Sequence, residues 1–404
     1  MDTSELMFPV ETLGWVGFLA PHVKPLSRRS FTWSALTLLQ YLGMNLLIFA
    51  RLASVDFSLS LVISLVAHTV NLVETIFLRI YYTIRRDAIS NLVQDISAVS
   101  EMNEPFASAD REMRNNSRRR IKNFSSSVFL FNFAVALLTV LRYMFSSAVR
   151  GLNECMPEND CRNTEGANDH HGRLLFDIWW PGNPSVTPVY YFIMAWQLAT
   201  LFTHISNVAA SDAFACSLAL AISERSALLT KDAGCALLPG HDNQVTPFCR
   251  GWLKYHQNYL RVVVTVNDVL GPVFFFTFCI AGLNVITLSY ISAKAQDSGL
   301  LTSTVTVIAV LLVRLFALAY AGQCVHTKSE ELSRNSLSAA QVAKGALKDG
   351  PARTTLLVLI TRLSGGIKPE EISGLGYFAI SLEFYTKILS ITVSLLLILL
   401  QLQQ

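Results

Sequence analysis

The sequence predicts an all-α membrane protein with seven transmembrane helices. Its mean hydropathy is +0.41, 52% of its 404 residues are hydrophobic and 15% are charged, whereas a soluble protein carries about a quarter charged residues. Seven apolar stretches approach or exceed the roughly 20 residues that a membrane-spanning helix needs. They lie at about 31–50, 57–82, 127–149, 188–211, 262–292, 301–324 and 376–402. We therefore expect residues 1–404 to form a single seven-helix subunit.

Basic residues set the expected orientation, because short loops rich in Lys and Arg stay on the cytoplasmic side of the membrane. The connection between the second and third stretches carries eight basic residues, and the connection between the sixth and seventh carries seven. The loop at 150–187 instead holds three basic and six acidic residues. We expect the N-terminus to be cytoplasmic and the C-terminus extracellular.

Three ionisable residues are the candidates for buried charges in the apolar stretches, because a charge in hydrocarbon is unfavourable unless it is paired or reaches water. These residues are Glu74 in the second stretch, Arg142 in the third and Arg314 in the sixth. Arg142 lies near the outer end of its stretch and can extend to the membrane surface. Glu74 and Arg314 are expected to pair with each other or with polar neighbours.

Three connections are expected to continue the membrane helices into the cytoplasm. Residues 84–126, 212–260 and 325–373 have apolar residues at helical spacing of three and four. We expect these extensions to pack together as a cytoplasmic anchor region. The pair Gly365-Gly366 interrupts the approach to the seventh stretch, which predicts a cytoplasmic helix at about 352–363 and a separate pore helix at 376–404.

The polar residues of the seventh stretch lie on one side of a helix. At about 100° per residue they fall within roughly 80° of one another. They are Glu383, Lys387, Ser390, Ser394 and Gln401, and Ile398 lies on the same side. Polar groups are unfavourable against lipid, so this pattern indicates a water-filled pore or polar neighbouring helices. A simpler alternative is a surface ion pair between Glu383 and Lys387, with Ser and Gln bonded to other helices.

The start of the fourth stretch is rich in aromatic residues and follows the sequence Trp179-Trp180-Pro181. Trp and Tyr at this depth usually form a belt at the membrane surface, and the alternative is a lid over an outward-facing cavity. Large apolar groups with a few polar tips suit a small, mostly apolar ligand. The candidate ligand-binding residues are His68, Leu141, Tyr143, Tyr190, Tyr191, Met194, Gln197 and Val307.

The sequence lacks several common motifs of catalytic and phosphate-binding sites. It has no Gly-x-Ser-x-Gly, no His-Glu-x-x-His and no phosphate-binding Gly-Lys-Ser/Thr loop. We therefore expect neither an enzyme nor a bound cofactor or metal, and no nucleic-acid partner. The cluster Asp169-His170-His171 is interpreted as a solvated loop. Cys155 and Cys161 share a predicted external loop, where they are either bridged or free.

Several segments, taken in their order along the chain, resemble the insect odorant receptors. They are Ile178-Trp179-Trp180-Pro181, the run from Asp212 to Ser226, His256-Gln257-Asn258-Tyr259-Leu260, Ala321-Gly322-Gln323 with Ser329-Glu330-Glu331-Leu332, and the run from Gly376 to Glu383. The resemblance implies one subunit of a tetrameric odorant-gated cation channel, with a pore lined by the seventh helices. The expected pore and gate residues are Ser394, Ile398, Gln401 and Leu402.

The resemblance also implies partners and location. It indicates a subunit tuned to a small volatile ligand, which works with a shared odorant co-receptor as a heterotetramer or by self-association. Its expected place is among the lipids of the plasma membrane of olfactory sensory neurons. The segment 226–256 is much shorter than the matching insertion of the co-receptor.

Other receptor and transporter classes fit less well. In gustatory relatives Thr-Tyr and Gln-Phe pairs are common in the last helix, but here Val393 follows Thr392 and Leu402 follows Gln401. The chain departs from the odorant receptors at one point, because the aromatic Tyr and Trp that usually follow the sixth stretch in that family are absent from 331–352. A G-protein-coupled receptor requires the opposite orientation, and a secondary transporter usually shows internal repeats.

Overall fold

The protein is almost entirely helical. The computed structural model describes residues 28–54, 59–101, 111–154, 179–181, 187–236, 242–294, 298–346, 354, 356–358, 360 and 370–401. Residues Cys155, Cys161, 169–171 and Leu402, for which the sequence raises expectations, lie outside this set.

Each of the first six predicted stretches coincides with one of the helices. The helices are α1 (Arg28–Ser54), α2 (Leu59–Ile84), α3 (Arg86–Glu101), α4 (Arg111–Glu154), α5 (Thr187–Ala236), α6 (Asp242–Lys294), α7 (Ser298–Ala346) and α8 (Leu382–Gln401). Among the described residues, four helical segments are long and apolar enough to cross a membrane: Thr32–Ala53, Pro188–Lys231, Arg250–Ala293 and Thr304–Val342. The protein is thus an all-helical membrane protein, and the count of seven spans and the orientation stay predictions.

Helices α5, α6 and α7 are much longer than a membrane is thick. They contain 50, 53 and 49 residues, and an α-helix rises about 1.5 Å per residue. Each therefore extends over about 75 Å, whereas the hydrocarbon core of a bilayer measures about 30 Å. Helices of this length extend beyond a bilayer, and the assignment of 212–260 and 325–373 to cytoplasmic extensions stays a prediction.

Helix α5 lies at the centre of the main core. Nearly every side chain from Asn207 to Ala219 is buried, and most are small. Small residues let helix backbones approach closely, and α5 packs along α4, α6 and α7. Further along, the hydroxyls of Ser223 and Ser226 donate to backbone carbonyls of α7, at Cys324 (3.2 Å) and Lys328 (2.8 Å). These contacts hold α5 and α7 together over most of their length.

The segment between α7 and α8 packs on the core of its own chain. Thr354, 356–358 and Ile360 are helical, within the cytoplasmic helix expected at 352–363. The side chain of Leu356 is fully buried in the main core, whereas the Val358 side chain is 50% exposed. The Val358 side chain therefore lies at the surface of the chain, and the Leu356 side chain does not.

Helix α8, for which the sequence predicts a pore-lining role, begins at Leu382, six residues later than expected. Two short strands, β1 (Ser373–Gly374) and β2 (Phe378–Ala379), pair antiparallel before it. The turn between them has positive φ at Leu375 (53°) and Gly376 (76°), which is the conformation of a type I′ hairpin turn. A β-hairpin therefore occupies 373–379, and the backbone cannot continue through this turn as a helix.

Ser381 caps the start of α8. Its hydroxyl accepts a hydrogen bond from the backbone N–H of Phe384 at 3.2 Å, and its carbonyl accepts one from Tyr385 at 3.1 Å. A serine at this position satisfies a backbone N–H that has no partner within the helix. The hairpin and the cap together fix where the pore helix begins.

Candidate functional site

Three buried charges join helices α2, α5 and α7. The Arg314 guanidinium on α7 donates to both oxygens of Glu74 on α2, at 2.6 and 3.4 Å, and to both oxygens of Asp212 on α5, at 2.5 and 3.2 Å. These residues are between 1% and 5% exposed. The fork-shaped guanidinium suits two such bidentate contacts. We call Glu74, Asp212 and Arg314 the charge triad.

Of the two alternatives that the sequence leaves open, the structure shows Glu74 paired with Arg314, but Asp212 was missed as a further partner. The sequence places Asp212 at the start of a cytoplasmic extension, where a carboxylate needs no partner. A signal was present, because Asp212 is flanked by small and apolar residues from Asn207 to Leu220. A charge within such a buried run requires a partner of opposite sign.

Polar side chains near the charge triad also connect helices α1, α2 and α5. The Thr75 hydroxyl lies 2.5 Å from Nδ1 of His204, and Arg79 donates to the side-chain oxygen of Asn207 at 3.1 Å. The amide of Asn207 in turn donates to the Tyr41 hydroxyl at 2.9 Å. In hydrocarbon such bonds replace the water that polar groups otherwise need. They link α1, α2 and α5 into one unit.

Three of the four candidate ligand residues on α5 share a face of the helix. Tyr190 and Met194 are half-buried and Gln197 is fully buried, and a helical count puts them within roughly 60° of one another. Tyr191 lies about 100° from Tyr190 and about 60° beyond Met194, and its side chain is 63% exposed. The arrangement separates Tyr191 from the other three residues.

The remaining candidate ligand residues lie on other helices. His68 on α2 is half-buried and close enough to His204 for their charges to interact. Val307 on α7 is half-buried, whereas the Leu141 side chain on α4 is 51% exposed. Tyr143 belongs to α4, and its side chain is outside the described part of the chain. A ligand site among these residues stays a prediction.

The segment 179–181 packs on the helices instead of extending into solvent. The backbone N–H of Trp179 donates to the Leu47 carbonyl on α1 at 3.2 Å. The Trp180 ring lies 6.1 Å from Phe192 and 6.2 Å from Trp196, and it contacts a small core formed by α1, α2 and α5. This segment thus packs on the side of α5 that carries Phe192 and Trp196, which a helical count puts roughly opposite Tyr190, Met194 and Gln197.

Helix α8 presents its polar side away from its own subunit. Phe384 stacks on Phe378 at 4.3 Å and lies 5.4 Å from Phe278, and Thr392 on the same side is 7% exposed. The opposite side is open. Its exposed members are Glu383, Lys387, Ser390, Ser394, Leu397, Ile398 and Gln401. We call these seven residues the open face of α8.

Leu397 was missed in the sequence analysis as a bulky apolar member of this face. Its side chain is 54% exposed and that of Ile398 is 51% exposed. On a helix the two lie at similar angles on either side of the line through Ser394 and Gln401. Both residues are therefore candidates for an apolar constriction.

The β-hairpin and the start of α8 are held between α6 and α7. The Asn267 side chain on α6 donates to the Glu371 carbonyl at 2.9 Å and accepts from the Ser373 N–H at 3.0 Å. On α7, the Gln323 side-chain oxygen accepts from the Leu382 N–H at 3.3 Å. A Cβ at Gly322 would collide with the Ile380 carbonyl oxygen. We call Asn267, Gly322 and Gln323 the hairpin clamp.

Two carboxylates lie just before the hairpin. The Glu370 N–H donates to the Ser329 hydroxyl at 2.8 Å, and Nδ1 of His326 lies 3.3 Å from a Glu371 oxygen. Burial raises the pKa of the Glu370 carboxyl, and the nearby Glu371 adds to the rise. These contacts attach the end of the connecting segment to α7.

Comparison with known proteins agrees with this architecture. The insect olfactory receptor OR5 from Machilis hrabei in complex with eugenol aligns over 100% of both chains with a TM-score of 0.76 and 17% identity. A second structure of the same receptor gives 0.75 and 16%, again over 100% of both chains. At this identity the similarity establishes the fold. No curated protein sequence matched the chain.

A sequence model described as 7tm odorant receptor matches residues 59–393. This range contains the charge triad, the hairpin clamp and three of the seven residues of the open face of α8, namely Glu383, Lys387 and Ser390. It covers more than half of the chain, so the match defines the family and not just the fold. The protein belongs to the 7tm odorant receptor family, whose members are membrane receptors and not enzymes.

Proposed function

We propose that the protein is a subunit of an odorant-gated, non-selective cation channel. Seven helices cross the plasma membrane of an olfactory sensory neuron, with the N-terminus cytoplasmic and the C-terminus outside. Four subunits, either identical or including an odorant co-receptor, surround a central pore. The observation that carries this proposal is the open face of α8, whose polar residues are not covered by described parts of the chain.

The open face supports a pore because of its chemistry. Serine and glutamine side chains facing lipid lack hydrogen-bond partners, which is unfavourable in hydrocarbon. Ser394 and Gln401 are both exposed in the isolated subunit. Water in a pore, or the same face of another subunit, satisfies these groups. A symmetric ring of subunits supplies both.

The subunits are proposed to associate through the cytoplasmic extensions. Lipid gives the membrane spans little hydrophobic reason to associate, whereas water outside the membrane favours burial of apolar surface. Val358 is 50% exposed and Val342 is 62% exposed, and both lie in the region 325–373 that the sequence assigns to the anchor. These residues are our candidates for the contact with a co-receptor or a second copy.

The decisive experiment measures odorant-evoked current. Cells that express the protein with and without an odorant co-receptor are exposed to a panel of small volatile molecules under voltage clamp. We expect inward cation current within the first second and no dependence on G-protein inhibitors. An epitope after Gln404 should be stained on intact cells. A cytoplasmic C-terminus would contradict the proposed orientation.

The gate is proposed to be an apolar ring near the extracellular end of α8. Copies of Ile398 and Leu397 around one axis leave a narrow passage from which water withdraws, and ions do not cross a passage without water. A small rotation of α8 moves these side chains off the axis and brings Gln401 towards it. Ligand binding then needs to favour only the rotated state.

Ile398→Ala is expected to raise the current in the absence of odorant severalfold, because a smaller side chain lets water remain in the ring. Gln401→Ala should change ion permeability ratios more than odorant potency. Whole-cell recording with ion substitution measures both effects. Val393→Ala is the matched control, since Val393 is a 49% exposed apolar residue about a quarter turn away on the same helix. Unchanged resting current and permeability would remove Ile398 and Gln401 from the pore.

The odorant is proposed to bind in the outer half of the bundle, between α2, α4, α5 and α7. The shared face of Tyr190, Met194 and Gln197 supplies apolar surface and one amide. Burial of apolar ligand surface contributes about 25 cal/mol per Å², and an amide fixes the orientation of a polar group.

Met194→Ala and Gln197→Leu should each raise the half-maximal odorant concentration about tenfold, which corresponds to about 1.4 kcal/mol. Tyr191→Ala should have a smaller effect, because its side chain is on the exposed side of α5. Dose–response curves of evoked current give the shifts. Leu46→Ala is the control, as Leu46 is 68% exposed on α1. If every odorant keeps its potency in all of these variants, the ligand binds elsewhere.

A further inference from the structure

The first turns of α8 carry an exposed ion pair that the proposed gate and ligand site do not use. The Lys387 ammonium lies 2.7 Å from a Glu383 oxygen, and the side chains are 66% and 77% exposed. By helical count both lie within about 40° of the line through Ser394 and Gln401. The pair therefore belongs to the open face of α8, three to five turns from the gate residues.

The rest of the first turn holds this pair in place. Ser381 caps the helix, and the aromatic side chains of Phe384 and Tyr385 pack on Phe278, Phe378 and Phe316. Packing of these rings fixes the rotation of α8 at its beginning. Glu383 and Lys387 are consequently directed away from their own subunit, and a helical i,i+4 pair keeps the two heads together.

We propose that Glu383 and Lys387 form a charge filter at the inner mouth of the pore. The inference rests on the proposed function, since it needs several copies of α8 around one axis. In such an assembly Lys387 contributes a ring of positive charges, one turn deeper than a ring of carboxylates from Glu383. The Glu383 ring neutralises the Lys387 ring, so cations pass a region that Lys387 alone would close to them.

Electrostatics predicts in which direction the loss of each charge changes the ion selectivity of the pore. At physiological ionic strength, charges act over about 8 Å, which is comparable to the radius of a pore mouth, so each passing ion experiences the whole ring. Rings of carboxylates favour cations and rings of ammonium groups favour anions. Removal of one member of each pair therefore leaves an uncompensated ring, and removal of both restores neutrality.

Two single substitutions, each of which removes one charge of the pair, and the double variant that combines them test the filter. The test applies both to channels that contain the co-receptor and to homomeric channels. Glu383→Gln should lower the permeability of sodium relative to chloride at least threefold. Lys387→Met should raise the permeability of calcium relative to sodium at least threefold. The double variant should return to within twofold of the unaltered channel. Reversal potentials under ion substitution measure these ratios.

A matched control lies on α7. Arg334 and Glu330 form an exposed i,i+4 pair at 2.6 Å, but they are far along the chain from the open face of α8. Glu330→Gln and Arg334→Met should leave the ratios unchanged. If they change the ratios as much as the α8 variants do, the effect is a general surface charge effect and the filter is overturned.

The outcomes separate this inference from the proposed function. Odorant-evoked currents with unaltered permeability ratios in all three α8 variants would overturn the filter alone. No odorant-evoked current from the unaltered channel would overturn the proposed function and the filter with it. If a neutral variant does not reach the surface, Lys387→Cys treated with a positively charged thiol reagent replaces it. Current that stays constant during that modification also overturns the filter.

Discussion

Arg314→Met should largely prevent the receptor from reaching the cell surface. The substitution keeps most of the apolar stem but removes the cation, and it leaves the carboxylates of Glu74 and Asp212 buried beside each other. Breaking a buried ion pair by removing one partner costs about 3–5 kcal/mol, a large part of the stability of a typical domain. Surface biotinylation and the melting temperature of the detergent-solubilised protein measure the loss.

The matched control for Arg314→Met is Arg334→Met on the same helix. Arg334 also contacts a carboxylate at 2.6 Å, but its side chain is 75% exposed, and an exposed pair contributes about 0–1 kcal/mol. The cell-surface expression of the Arg334→Met variant should therefore stay close to that of the unaltered protein. Adding Glu74→Gln and Asp212→Asn to Arg314→Met should restore part of the expression. Normal expression of Arg314→Met alone would contradict a structural role for the charge triad.

Gly322→Ala should reduce odorant-evoked current at least tenfold. The added Cβ collides with the carbonyl oxygen and the side chain of Ile380, immediately before α8. Because a backbone atom blocks the space, the side chains cannot adapt by changing rotamer alone. The start of the pore helix must move, and overpacking of this kind typically costs about 1–3 kcal/mol. Whole-cell current, normalised to surface expression, measures the effect.

Gly282→Ala is the control for the backbone effect of removing a glycine. Gly282 lies inside α6, and a Cβ there meets nothing within 4 Å. Since alanine favours a helix over glycine by about 1 kcal/mol, this variant should be as stable as the original protein or more stable. If both alanine variants conduct normally, the close approach of α7 to Ile380 has no part in gating.

The sequence was sufficient to predict the helices and the side of α8 that is left open. Both follow from local regularities: apolar runs of sufficient length, and polar residues that recur on one face of a helix. The need of Glu74 and Arg314 for polar or charged partners was also accessible, because buried charges need partners. These predictions require no knowledge of which helices are neighbours.

The hairpin at 373–379 was not predicted, because its residues look like the beginning of an apolar helix. Phe378, Ala379 and Ile380 have no alternating pattern, and Leu375 is an unfavourable residue for positive φ. The tertiary contacts of Asn267 and Gly271 on α6 stabilise the turn. The role of Asp212 was hidden for the same reason, since it depends on which face of α5 meets α7.

The charge triad gives α7 a fixed point between Val307, a proposed ligand contact, and Gly322 in the hairpin clamp. Val307 lies seven residues before Arg314, and Gly322 lies eight residues after it, which is about 10 Å and 12 Å along the helix axis. A rod that pivots about Arg314 therefore acts as a lever with nearly equal arms. In the proposed channel, a ligand that pushes Val307 outwards by a given distance would draw Gly322, and with it the start of α8, inwards by a similar distance.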